Sequence, residues 1–557
     1  MTNVDWRNRF GANWITSVRN QQSSENCWAF ATTALYEAMV RIEHNLWNRR
    51  SEGEVVHGVG KQSWDLGNFG EATAFVQNYG LADPDCFPFG LSAALYTGKD
   101  GGGATPFSPT PDRAGRTVRI GAGATTSLTD PAQKKNWIDT VGPMIVMLNP
   151  PSDFGLLRGN QVYVPPPGSP GGPTHALLVV GFNDAAGYWI VKNSWGTGWG
   201  NGGFGLVGYS GNMLEPATFV GVRGTNPDPW ARRRLRNGVL LQGGNGAGRN
   251  NFELFVRVGA QIMHWWRENS TPAFTWNNAG VVRSADQWRD TFHDDALDCP
   301  AAVQSTFNRN YELVYRCNFN QLRHVFFDQA SGLWNDATLF GPANPQGIPG
   351  FIQGNRGAPG DFEVVVLNAA GQLEHWTKHN SFPWTQNPGD WTLWTRFGSG
   401  ITGSGPALVQ SSIGVTGYPE NNAGELHYVA TANGVMQHFR RDPVTGTWSQ
   451  VTTFGSGIGS GPCMIESSFG MADETGIGNF ELCVAAGGQI QHWWRPNNPV
   501  GTWGRSAVFG SSVNRVVGLI QSSFGGDLEV IAERTDLKFQ HYYRDTNGVW
   551  NTGPIIT

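Results

Sequence analysis

Two rhythms of apolar and polar positions divide the chain. In the first part the rhythm changes from segment to segment. After Cys27, the residues Trp28, Phe30, Ala31, Leu35, Met39 and Ile42 recur at helical spacing and predict a buried helix with Cys27 at its start. His175 opens the apolar run Ala176-Leu177-Leu178-Val179-Val180-Gly181, which predicts a buried strand. From about residue 238 the rhythm repeats instead. Each unit carries a Gln-Ser-Ser-Phe-like segment, a Phe-Glu-Leu-Val-like segment, a Gln-x-His-Trp-Trp-Arg-like segment, then a lone Trp and Phe-Gly-Ser-Gly. Room for four short strands in units of roughly 50 residues predicts the blades of an all-β propeller. The acidic position falls at Glu253, Glu312, Glu363, Glu425, Glu481 and Glu529, and the histidine at His264, His324, His375, His438, His492 and His541. The count favours six blades, with seven as the alternative. The last unit lacks a following Gln-Ser segment, and Val239-Leu240-Leu241-Gln242 supplies a spare one at the start, so the ring is expected to close with strands from both ends.

Composition agrees with a multidomain, turn-rich protein. The chain has 557 residues, too many for one ordinary domain, with 75 Gly, 24 Trp and only 15% charged residues. A net charge of -5 gives no electrostatic reason to expect nucleic acid. No apolar run is long enough to span a bilayer, and no secretory apolar stretch follows Met1. Six cysteines are few for this length. Cys299 with Cys317, and Cys463 with Cys483, fall where neighbouring strands could join them; free buried thiols are the alternative. The predicted domains are 1–223 and 238–557, joined by a linker over 224–237. Within that linker, Gly224-Thr225-Asn226-Pro227-Asp228-Pro229 breaks secondary structure, and Arg232-Arg233-Arg234-Leu235-Arg236 adds a basic knot expected to be solvated or docked on an acidic face. A Gly/Pro-rich insertion over about 90–117 is expected at the surface.

Three separated stretches carry candidate chemistry. They are Gln21-Gln22-Ser23-Ser24-Glu25-Asn26-Cys27-Trp28, Thr174-His175-Ala176 and Asn193-Ser194-Trp195-Gly196-Thr197-Gly198-Trp199-Gly200. A thiol, an imidazole and an amide are the parts of a Cys-His-Asn nucleophilic site. A helix N-terminus favours a thiolate, so Cys27 is expected to ionise readily. These stretches resemble the papain-like, C1-type cysteine proteases, and the resemblance covers roughly residues 1–220. It implies an α+β fold with a helical half and a β-barrel half, and an endopeptidase needing no cofactor or metal. It also implies Cys27 as nucleophile, His175 as base, Asn193 as its orienting group and Trp195 as its cover. Gln21, six residues before Cys27, takes the oxyanion position, with Gln22 as the adjacent competitor. Gly67 takes the position of the family's glycine that pairs with the substrate P2 backbone, and Met147 and Ala176 would help line an apolar S2 pocket. The sequence departs from the family at Ser24-Glu25-Asn26 and in lacking the family's disulfide cysteines.

The repeats resemble the propeller lectins of bacteria and fungi typified by the Photorhabdus lectin and the Psathyrella velutina lectin. His264-Trp265-Trp266-Arg267, His492-Trp493-Trp494-Arg495 and His541-Tyr542-Tyr543-Arg544 carry that likeness. It implies carbohydrate binding, with Trp265, Arg267, Trp493, Arg495, Tyr542 and Arg544 as sugar contacts. The expected protein is a cysteine endopeptidase brought to glycoproteins by a lectin domain and acting outside the cell. Its rivals are a lectin or toxin with a non-proteolytic papain-like domain, a protease whose propeller binds protein, and a transpeptidase or amide hydrolase on the same fold.

Overall fold

The computed structural model describes residues 3–44, 46–84, 86–89, 113–243, 251–269, 274–282, 295–306, 309–356, 360–380, 391–414, 424–471, 476–523 and 526–556. It divides into two compact units with the boundary between Pro227 and Asp228. Most of the expected Gly/Pro-rich insertion lies outside the described residues.

The first unit is built on α1 (Cys27–His44), in which only Ile42 and Glu43 escape full burial. The helix starts where it does because the Asn26 carbonyl accepts from the amides of Ala29 and Phe30. Two shorter helices, α2 (Glu52–Gly58) and α3 (Phe69–Tyr79), pack beside it. Ser51 and Asn68 cap them by accepting from Glu54 N and Glu71 N. An eight-stranded sheet forms the other part. Its central strand, His175–Asn183, is buried throughout except at Asn183 and lies between Met144–Leu148 and Tyr188–Lys192. The first strand of the chain, Asn3–Asp5, pairs with that same strand, which only glycine at 181 permits: a Cβ there would lie 2.1 Å from the Val4 carbonyl oxygen.

The segment 224–237 is not a free tether. Thr225–Pro227 pairs with Thr117–Ile120 in the first unit, and Arg236–Gly238 pairs with Val513–Gln521 in the second. The guanidinium groups that suggested a solvated knot are consumed by backbone and side-chain acceptors inside the second unit.

That second unit consists, among the described residues, of six antiparallel sheets in sequence order. Their inner strands are Leu240–Gln242, Ala301–Gln304, Gln346–Gln353, Leu408–Gln410, Cys463–Glu466 and Val513–Gln521. Each sheet is complete from consecutive strands, and Arg236–Gly238 adds a fifth strand to the sixth sheet. The spare Gln-Ser segment therefore opens the first sheet, and the strand from the N-terminal end that joins the last sheet is Arg236–Gly238, just before it. The side chain ending five of the six inner strands bonds to the sheet before it. Thr306 N donates to Gln353 (3.0 Å), Asn355 N to Gln410 (3.3 Å), Ser412 N to Glu466 (3.1 Å) and Ser468 N to Gln521 (2.6 Å). Ser523 N of the sixth sheet then donates to Gln242 of the first, at 2.8 Å.

Residues 232–237 touch all six inner strands or the residues just after them. Arg232 donates to Gln242, Arg233 to Asn355, Arg234 to the Ser412 hydroxyl, and Arg236 to the Gln304 carbonyl. Asn237 donates to the carbonyls of Leu408 and Met464, while Glu466 N and Gln521 N donate to the carbonyls of Arg234 and Leu235. Farther out, the histidine of one sheet meets the tryptophan of the next, as in His324 with Trp391, His375 with Trp448, His438 with Trp503 and His492 with Trp550. His541 of the sixth sheet meets Trp276 of the first in the same way.

The histidine also bonds a carboxylate in five sheets: Glu253, Glu312, Glu363, Glu481 and Glu529, at 2.6–2.8 Å. In the fourth sheet the expected Glu425 is not the counterpart. Strand register pairs His427 with Arg440, where Glu253 pairs with Trp266, so His427 replaces the acid and bonds His438 at 2.9 Å. Burial pushes both imidazoles well below the usual histidine range, and neighbouring Arg495 adds to the shift. Cys463 and Cys483 face each other across strands, yet all six cysteines are free thiols.

Candidate active site

The N-terminus of α1 and the mouth of the central strand bring the sequence-predicted groups together. The Ala176 amide, one residue beyond His175, hydrogen-bonds the buried Cys27 sulfur. His175 is buried, and its Nε2 lies 2.8 Å from Asn193 Oδ1. Ser194 N donates to the same oxygen at 2.7 Å, so that oxygen is the acceptor and His175 Nε2 carries the proton. The other ring nitrogen, Nδ1, keeps the lone pair a base needs. Trp195 stacks on the imidazole with centroids 4.3 Å apart and planes at 28°.

The ionisation of the pair differs from the sequence expectation. Burial pushes the Cys27 thiol up to about 11, against the lowering hydrogen bonds from the Ala176 and Trp28 amides. Burial likewise pushes His175 down to about 4, opposed by its bond to Asn193. Desolvation outweighs the helix terminus, and each group alone resists charge.

Gln21 is buried and Gln22 exposed. Ser194 Oγ donates to Gln21 Oε1 at 2.6 Å, and Gln21 Nε2 donates to the Ser24 carbonyl at 2.7 Å. The amide is thereby oriented, with one N–H of Nε2 left over. Met147 and Ala176 are direct cross-strand partners, and Gly67 lies against the Trp28 ring, 2.4 Å from where a Cβ would stand. Ala176 thus stands at Cys27 beside its partner Met147, and Gly67 stands at Trp28, the residue after Cys27.

Sequence reasoning missed a charged layer behind these groups. Arg19 pairs with both Glu37 and Glu52, and Lys192 donates to Thr16, which donates in turn to Glu37. Arg19, Arg49 and Lys192 overcome the burial of Glu37 and hold its carboxyl below the usual range. Arg19, Glu37, Glu52 and Lys192, with Asn193 and Ser194, line a cavity of about 20 Å³, room for one water. The signal was present in part, since Glu52 belongs to a Ser-Glu-x-Glu stretch, but nothing local pairs Arg19 with it.

Residues 1–217 match the family described as Papain family cysteine protease. The first unit is a papain-like C1 peptidase domain. Relatives include a cysteine protease of Blomia tropicalis, 27% identical over 39% of this chain and 64% of its own length. A cathepsin L-like proteinase of Fasciola hepatica is 28% identical over 39% and 64%, and ananain of Ananas comosus 29% identical over 38% and 60%. This chain thus spans about three-fifths of the length of those curated relatives. Among solved structures, the bromelain protease from Ananas comosus in complex with the E64 inhibitor is 22% identical, with a TM-score of 0.32, over 40% of this chain and 99% of that one.

Outside the peptidase domain, the expected sugar contacts are mostly taken up by packing. Arg267 and Arg495 are buried over Phe252 and Phe480, and each donates to an asparagine, Asn269 or Asn497. Tyr542 is buried, and Trp265 and Trp493 pack against core clusters. Arg544 is half-buried. Strand alternation explains this burial, because the first aromatic of each pair points into the packing. Trp494 is 39% exposed.

Proposed function

We propose that the chain is a papain-like cysteine endopeptidase whose second unit is a six-bladed propeller that brings it to glycosylated targets. In the peptidase domain, Cys27 attacks a peptide carbonyl carbon while His175 Nδ1 takes the thiol proton. The proton then passes to the leaving amine, and a thioester to Cys27 remains. Water, deprotonated by His175, hydrolyses it and restores the thiol. Gln21 Nε2 and the Cys27 amide are the donors for the oxyanion. Asn193 and Trp195 hold the imidazole in its productive tautomer, and Met147 and Ala176 favour an apolar P2 side chain.

The observation that carries this reading is the His175–Asn193 bond beside the Cys27 sulfur, because it leaves a base with its lone pair at the nucleophile's side. The test is to treat the full chain with a thiol-directed epoxide and locate the adduct by mass spectrometry. A single adduct on Cys27, blocked by peptide substrate and accompanied by loss of hydrolysis, is expected. Hydrolysis that persists with Cys27 fully modified would overturn the reading.

The propeller reading draws on the hydrogen bonds that pass between successive sheets and return from Ser523 to Gln242. Glycan binding rests on the resemblance of the repeats and on outward aromatics such as Trp494. Action outside the cell fits a digestive cysteine proteinase of Homarus americanus among the relatives. The burial of Arg267, Arg495 and Tyr542 favours a second reading, in which the propeller binds protein. A glycan array probed with the intact Cys27→Ala chain separates the two: sugar-competable binding supports the first, and a blank array supports the second.

A further inference from the structure

The residue before the nucleophile holds the opposite wall of the cleft. Asn26 is fully buried, and its Nδ2 donates to the carbonyls of Gln62 at 3.0 Å and Asp65 at 3.4 Å. Its neighbours fasten the same stretch: Glu25 N donates to Ser63 O at 2.7 Å and Trp28 Nε1 to Asp65 O at 3.3 Å. The stretch closes on itself, with Asp65 N donating to Gln62 O and Gln62 N to Asp65 Oδ2. It ends at Gly67, the glycine expected to pair with substrate backbone. The donor end of the Asn26 amide makes these bonds, and its Oδ1 has no hydrogen-bond partner among the described residues. Flipping the amide would set that oxygen against two carbonyls. A donor of this length is what the position requires, and aspartate, of nearly the same shape, cannot supply it at neutral pH.

We propose that Asn26 is a positioning residue that fixes the loop 62–67 to the first turn of α1, and so sets the distance between the Cys27 sulfur and the backbone at Gly67. The effect on substrate rests on the peptidase reading above; the tether itself does not. Asn26 contacts neither substrate nor the reacting atoms. An extended peptide that lies on the Gly67 backbone needs that distance, whereas a small activated acyl ester without a P2 residue does not.

The test is Asn26→Ala in the full chain. Loss of two buried hydrogen bonds should lower kcat/KM for a peptide with P2 and P3 residues by roughly tenfold, mostly through KM. Hydrolysis of the small ester should change by less than about twofold. Hydrogen exchange at the 62–67 amides should accelerate while α1 stays protected. Equal losses on peptide and ester, or unchanged exchange in the loop, would overturn the proposal. Should Asn26→Ala not fold, Asn26→Ser, whose hydroxyl is too short to reach both carbonyls, carries the same expectations. A wild-type chain that cleaves neither substrate would sink the peptidase reading, and the exchange measurement would still decide the tether.

Discussion

Removing the cation beside Glu466 should expose the cost of the one carboxylate in an otherwise amide-bearing position. Five inner strands of the second unit end on Gln242, Gln304, Gln353, Gln410 and Gln521, and the fifth strand in order ends on Glu466. Glu466 is fully buried, and burial raises its carboxyl above the usual range despite the opposing charge of Arg234 and donors from Ser412, Gly478 and Ser411. Arg234→Ala removes that charge. Breaking one side of a buried pair costs about 3–5 kcal/mol, and the half-buried position of Arg234 argues for the lower end. Glu466→Gln alone restores the residue type of the other sheets. It removes the buried charge and loses one acceptor for Gly478 N, so its net effect should stay within about 1 kcal/mol. The double variant should therefore recover most of the Arg234→Ala loss, a coupling of at least about 1.5 kcal/mol. Because the folded-state pKa is raised, Glu466 holds its proton to higher pH than in the unfolded chain. Its destabilising charge develops as pH rises above the unfolded value of about 4.3, and the Arg234→Ala deficit should shrink on acidification toward that value. Urea unfolding of the full chain, read by hydrogen exchange in peptides around 236–242 and 463–471, isolates this unit. Additivity of the two substitutions within about 0.5 kcal/mol, or a deficit independent of pH, would refute the reasoning.

Further expectations concern the peptidase domain. Gln21→Ala should lower turnover by about 10²–10³ with little change in substrate binding, and a larger loss in Gln22→Ala would reassign the oxyanion donor. A peptide library varied at P2 should favour Leu, Val or Phe over Asp and Lys; a charged preference would remove Met147 and Ala176 from the pocket. His175, buried and depressed to about 4, resists protonation in the folded state while the unfolded imidazole gains a proton near 6.5. Its share of stability is complete above 6.5 and falls as pH drops toward 4, by roughly 3 kcal/mol. The thermal midpoint of the first unit should thus fall less steeply over that range in His175→Gln, and parallel slopes would contradict it.

The site was legible where chemistry and spacing are local. Cys27 at a helix start, His175 at a strand mouth and Asn193 before a glycine turn each show in a few residues. The ionisation of Cys27 was not, because desolvation depends on what distant segments cover it. The Glu25-Asn26 departure marked a difference without revealing that Asn26 reaches Gln62 and Asp65. In the second unit, repeat spacing located the sheets, but the faces of its strands depend on register. Reading Glu425 for His427 is a slip of two residues, and a slip of one would exchange the two faces of a strand. The arginines of 232–236 read as a basic knot because their acceptors lie up to 178 residues away, at the ends of four separate strands.

The most direct test of the account is the rate at which Cys27→Ala cleaves a peptide that the wild-type chain hydrolyses. Wild type should turn over, and Cys27→Ala, with hydrogen exchange in α1 and the central strand unchanged, should cleave at no more than the residual rate left by the oxyanion donors and binding. Cleavage by Cys27→Ala at the wild-type rate would contradict the assignment of Cys27 as nucleophile and, with it, the catalytic reading of the first unit.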